Sequence, residues 1–255
     1  MRAALSVFWR SLQYWSDDVL LLIQMNGVWM LAMLLVIPGP PATAALLTVA
    51  HRMAHGGLAD WQIARRAFQR YFWKSWAWAL VNIAFAGLLA FNYTYYAQHT
   101  SGLLWTLVRV AWAAFALSWA AVQIYWWPLI MEMPGEPLIP ALRNAARLAL
   151  LNPLFTATLL IIVILFVAAA VALVIPAILM MSGVLALVAN HATLDRLAAY
   201  REMQAIWDEE EPGRGALLEG LDRPRGRRVV TPRPPKPGSR RARRARRKSA
   251  RRRKD

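Results

Sequence analysis

The 255-residue chain has no cysteine. That excludes a disulfide frame, a thiolate-bound metal and a cysteine nucleophile. Acidic residues are scarce, 14 Asp and Glu against 30 Lys and Arg. Beyond Asp17 and Asp18, no Asp, Glu or Lys falls inside the long apolar stretches. Proton- and ion-coupled carriers use such groups as intramembrane relays, so an ion-driven transporter working alone is disfavoured. A Walker motif is missing, which excludes the ATPase of a pump. Ser182 and His191 are not accompanied by a Gly-x-Ser-x-Gly elbow, so no serine hydrolase is read from them. Nor do aromatics occur after Trp207.

The formal net charge of +16 is concentrated at one end. Residues 223–255 hold 17 basic side chains and one acid, whereas residues 1–222 hold 13 of each sign. The chain therefore divides into a neutral apolar body, residues 1–211, and a Pro- and Arg-rich tail, residues 212–255. Self-repulsion and extended proline geometry predict a disordered cytoplasmic tail.

The body contains four stretches near or above the ~20 residues that cross a ~30 Å hydrocarbon core. They are Val19–Ile37, Trp76–Ala97, Leu103–Ile130 and Phe155–Asn190. Pro38-Gly39-Pro40-Pro41 turns the first into a shorter apolar run, Ala42–Ala54, and Pro176 divides the last. The expected fold is all-α: a polytopic transmembrane bundle of about five to six segments in three hairpins. The length of the first run and Asp17-Asp18 before it favour a retained helix over a cleaved signal.

Basic residues cluster in the loop with Arg52, Arg65, Arg66, Arg70 and Lys74, in Leu138–Leu151 and in the tail. The junctions at Pro38–Pro41, Gln98–Gly102 and Pro176 carry none. The positive-inside rule then predicts an inner-membrane protein with both termini cytoplasmic. Arg109, within a span, is expected to snorkel outward. Trp73, Trp76 and Trp78, and Tyr125-Trp126-Trp127, are expected at headgroup depth on the inner side, with Tyr93, Tyr95, Tyr96 and Trp105 on the outer. Trp61, Ala64, Phe68 and Tyr71 recur at helical spacing and predict an interfacial helix lying apolar face down on the leaflet. Pro140–Leu151 reads as a second such helix, and Leu194–Glu211 as a helical continuation of the last span.

Met25-Asn26-Gly27-Val28-Trp29, followed by Ile37-Pro38-Gly39-Pro40-Pro41-Ala42-Thr43-Ala44-Ala45-Leu46, resembles the signature of the YesL-like bacterial membrane proteins, with Pro41 extra or displaced in the turn. The resemblance implies a multi-pass inner-membrane protein with an accessory role in carbohydrate uptake. It carries no catalytic residue with it.

Asn26, Trp29, Pro38, Gly39, Pro40 and Thr43 form one candidate site. An amide in hydrocarbon wants a partner, so Asn26 either joins two helices or contacts a ligand near the Pro38 corner. Gln24, Asn82, Asn92 and Gln123 are read as helix-packing amides. The helix after Pro41 would present free amides to an anion, or else simply close a tight hairpin. His51 and His55, four apart, share a helical face suited to a metal. Since no carboxylate or third histidine lies near them in sequence, neither a metal nor a cofactor is assigned. Glu132 and Glu136 bracket a Pro-Gly loop and are not expected to form an acid pair.

Lipid or nucleic-acid contact is expected from Arg65, Arg66 and Arg70 and from the tail residues Arg240, Arg241, Arg243, Arg244, Arg246, Arg247, Arg251, Arg252 and Arg253. Anionic inner-leaflet lipid suits this charge, as does the phosphate backbone of nucleic acid. The composition therefore predicts a non-enzymatic membrane component acting through partners, and the resemblance implies that these include other membrane transport subunits. A small-solute carrier or channel using the Pro38 corner and a nucleic-acid tether acting through the tail are the two alternatives.

Overall fold

The computed structural model describes residues 2–99, 102–174, 176 and 179–210. Among them lie nine helices and no strand: α1 (Arg2–Asp17), α2 (Val19–Leu34), α3 (Gly39–Ala54), α4 (Trp61–Arg70), α5 (Phe72–His99), α6 (Leu103–Glu132), α7 (Leu138–Leu151), α8 (Pro153–Leu173) and α9 (Met181–Glu210). The stretch from Met1 to Glu202 is one compact unit, and Met203 begins a second. The tail arginines and the expected disorder of residues 212–255 lie outside the described residues.

Helix α3 is the hub of the first unit. Ala42, Ala44, Ala45, Leu46, Val49, Ala50 and Met53 are all buried, and small side chains let α2, α4, α5 and α6 approach it. Pro40 and Pro41 lie in its first turn, where a missing amide costs nothing. At its far end Gly56, at φ 73°, donates to the Met53 carbonyl at 2.8 Å, and Gly57 donates to that of Arg52 at 2.9 Å. This paired closure ends the helix and fixes His55 at its C-cap.

Among the described residues, three helices are long and apolar enough to cross a membrane: Phe72–Tyr95 within α5, together with α6 and α8. Helices α1 and α2 satisfy the same test only as a pair bent by 99°. Among the described residues, fewer helices pass this test than the five to six segments expected. Helices α2 and α3 have 16 residues each, about 24 Å of rise against a ~30 Å core. Past Ala189, α9 turns polar through Asn190, His191, Asp195 and Arg196. The break between α8 and α9 does fall around Pro176, as expected.

Two further expectations are corrected. The Trp76 indole donates to the Ile37 carbonyl at 3.1 Å, so the Pro38 corner stands beside the start of α5 rather than across a bilayer from it. The three-hairpin map had separated them because the Pro38 corner carries no basic residue and the stretch before α5 carries several. Tyr125, Trp126 and Trp127 are buried in the protein core, not displayed at headgroup depth. Trp127 packs edge-on against Tyr71 and Trp78 at 5.7 and 5.6 Å, and the Trp126 indole donates to the Leu138 carbonyl at 3.0 Å.

Helices α4 and α7 form where the amphipathic patterns placed them. Asp60 caps α4 by accepting from the Gln62 amide at 3.1 Å. The stripe of α4 seats largely on α3: Ala64 and Tyr71 are buried, so much of the face expected to meet lipid meets protein. Helix α1 was not foreseen, although Ala4, Val7 and Ser11 recur at helical spacing and are all buried.

Candidate functional site

Polar side chains inside the apolar body mostly find one another. Asn26 is fully buried, and its Oδ1 accepts from the Ser182 amide at 2.9 Å and from the Ser182 hydroxyl. Ser182 is the second residue of α9, where amides have no intrahelical acceptor. Asn26 thus caps α9 from a different helix. Trp29 donates to the Thr43 hydroxyl at 2.9 Å, which in turn donates to the Gly39 carbonyl at 3.1 Å. Trp119 donates to Asn82 at 3.0 Å, Trp78 to Gln123 at 2.9 Å and Trp61 to Gln24 at 3.3 Å. Asn92 donates to the Leu88 carbonyl of its own helix at 2.8 Å.

The start of α3 offers no amide for an anion. Pro38, Pro40 and Pro41 have none to give, Gly39 donates to Val36 at 3.1 Å, and Ala42 donates to Pro38 at 2.9 Å. Of the two readings of this terminus, the tight hairpin is the one formed, and the anion site is closed by its own prolines.

A different cluster forms at the other end of α3. Glu132, the last residue of α6, places Oε1 at 3.0 Å from His55 Nε2 and 3.8 Å from His51 Nε2. The rings of His51 and His55 lie 4.3 Å apart between centroids. The missing carboxylate thus arrives from 77 residues beyond His55, a pairing invisible in the local sequence. Asn190 completes the arrangement. Its Nδ2 donates to the carbonyls of Ala186 at 2.8 Å and Leu47 at 3.2 Å, leaving Oδ1 facing His51 Nδ1 at 3.1 Å. Burial, and then the neighbouring His55, hold His51 below the ordinary imidazole value against the opposing pull of Asn190 and Glu132. Beside the histidines opens a recess of about 590 Å³ whose lining includes Arg52, Arg66 and Arg70.

Glu136 forms a separate latch. It pairs with Arg70 at 2.6 Å and Lys74 at 2.9 Å, and it accepts from the Tyr71 hydroxyl at 2.7 Å. Burial opposes its charge, yet the Lys74 and Tyr71 hydrogen bonds and the two cations hold the carboxyl below its usual range. Burial, followed by Glu136, pushes the Tyr71 phenol up. Arg70, expected to meet lipid or nucleic acid, is thus engaged within the protein. Arg66 reaches Gln62 at 3.3 Å, while Arg65 borders an apolar groove of about 350 Å³ between α2, α3 and α4.

A partly open cavity of about 310 Å³ is lined by Trp29, Thr43, Trp78, Gln123 and Ser182 among apolar residues. The Gln123 Nε2 atom is buried with no hydrogen-bond partner among the described residues.

Fold and polar seams together define a helical membrane protein whose internal polar groups are largely spent on packing. Residues 22–93 match the family described as Protein of unknown function, DUF624. This is the YesL-like family that the Asn26-to-Leu46 stretch resembles. The match runs from α2 to within α5, and so includes His51 and His55 but neither Glu132 nor Asn190. Neither the curated proteins nor the solved structures yield a match.

Proposed function

We propose that the protein is a non-enzymatic accessory component of the bacterial inner membrane, with both termini cytoplasmic, acting with other membrane subunits in solute uptake. One observation carries this reading: Asn26, Trp29 and Thr43, the groups best placed to line a transport path at the Pro38 corner, are engaged in helix–helix bonds. Carbohydrate as the solute follows from the family resemblance alone. Purification in mild detergent is expected to bring down transport subunits in fixed ratio. Recovery only as a lone unit that moves solute by itself would overturn the proposal.

A second reading, a small-solute carrier, is favoured by the cavity beside Thr43, Gln123 and Ser182 and by the unpartnered Gln123 amide nitrogen. Reconstituted vesicles would then show sugar flux that Gln123→Leu abolishes without loss of fold. Wild-type vesicles no leakier than empty ones would exclude it.

A further inference from the structure

We propose that His51 Nε2, His55 Nε2 and Glu132 Oε1 form a binding site for a divalent transition-metal ion of the zinc class, a role independent of the uptake reading. One potential ligand atom from each residue lies within 4.8 Å of the other two, and the Nε2 atoms stand 3.8 and 3.0 Å from Glu132 Oε1. Around a tetrahedral ion with bonds of ~2.0–2.1 Å, neighbouring ligand atoms stand roughly 3.3 Å apart, so small side-chain rotations close the set. Two imidazole nitrogens with one carboxylate oxygen form a donor set that zinc accepts.

The hydrogen bonds outside the cluster decide which ring nitrogens are available. Asn190 turns its NH₂ toward two backbone carbonyls, at 2.8 and 3.2 Å, and therefore turns its carbonyl toward His51 Nδ1. A carbonyl only accepts, so His51 Nδ1 carries the proton. His55 Nδ1 lies 2.8 Å from the backbone carbonyl of His51 and carries its proton for the same reason. In the neutral rings both Nε2 atoms then hold lone pairs, and both face Glu132 Oε1. That oxygen is buried and accepts no hydrogen bond from the described residues. With both rings neutral, three electron-rich atoms converge, and a bound cation relieves their repulsion; without one, a proton on His55 Nε2 would do so through an ion pair to Glu132. Metal-bound histidines characteristically donate the other ring N–H to a carbonyl or carboxylate, as both rings do here. The Gly56–Gly57 closure fixes the backbone of His55, and the adjacent recess provides a path for the ion.

The test uses the full-length protein in mild detergent, with its affinity tag removed and resident metal stripped by a chelator. Loaded with Zn²⁺ and desalted, the wild type is expected to retain about one zinc per chain by elemental analysis. His55→Ala and Glu132→Gln are each expected to weaken binding at least tenfold, and Asn190→Leu, which removes no ligand atom, by about 10–100-fold. His99→Ala is expected to leave binding unchanged. Retention by the wild type of less than about a tenth of an equivalent overturns the proposal, and that measurement stands whether or not any variant folds. Equal retention by the wild type and a folded His51→Ala/His55→Ala double variant overturns it as well.

Discussion

At the scale of single residues, the buried amides are the informative ones. Replacing Asn26 with Leu strands the amide and hydroxyl of Ser182 without an acceptor. An unsatisfied buried group costs about 1–3 kcal/mol, so Asn26→Leu should lower the thermal midpoint in detergent. A variant of unchanged stability would return Asn26 to the role of ligand contact. Glu136 makes a second prediction. Its pKa is depressed in the folded state, so its stabilisation is present above the unfolded carboxylate value of about 4.5 and is lost as pH falls through the folded value. Glu136→Gln should therefore destabilise by roughly 1–3 kcal/mol near neutral pH, with the difference from wild type closing in acid; thermal melts across that range would measure it. Asn26 was legible as a helix-packing residue because an amide in an apolar run must find a partner. Glu132 as the partner of His51 and His55 was not, since only the packing of α6 on α3 brings it there. Asn190 was not legible either, since it meets His51 only in the folded protein, across 139 residues of sequence.

At the scale of elements, patterns with strong periodicity were readable and depth in the membrane was not. The stripes of α4 and α7 announced helices, and the proline corners announced breaks. Apolar composition alone could not distinguish a face covered by lipid from one covered by α3, because both exclude water equally well. Tyr125, Trp126 and Trp127 show the same ambiguity: an aromatic cluster at a helix end satisfies an interface or a core. Two boundary devices can be tested. Asp60→Ala removes the side-chain acceptor of the Gln62 amide and should cost about 1 kcal/mol. Gly56→Val forces a β-branched residue to φ 73°, a left-handed conformation that costs an ordinary residue roughly 1–2 kcal/mol. Thermal melts would register both, and an unaltered midpoint for Gly56→Val would mean that the α3 closure contributes nothing.

At the scale of the molecule, reporters fused at Gly57, Gly135 and the C terminus are expected to read cytoplasmic, and one at Ser101 external. The opposite pattern would overturn the proposed orientation. Deleting residues 223–255 should abolish salt-sensitive binding to anionic vesicles while leaving insertion intact. The Asn190–His51 bond also bears on how the chain assembles. It joins side chains 139 residues apart, whereas most hydrogen bonds of the bundle link neighbours within a helix or hairpin. Closing so long a loop costs entropy that grows only with the logarithm of its length, about 0.6 kcal/mol per doubling. The cost is therefore modest, but the closure cannot occur until α9 has been synthesised. A chain halted anywhere before residue 181 holds its histidine pair with one ring unanchored. Ordering of the His51 ring is thus a late event, and it reports that the last helix has reached the first half of the protein.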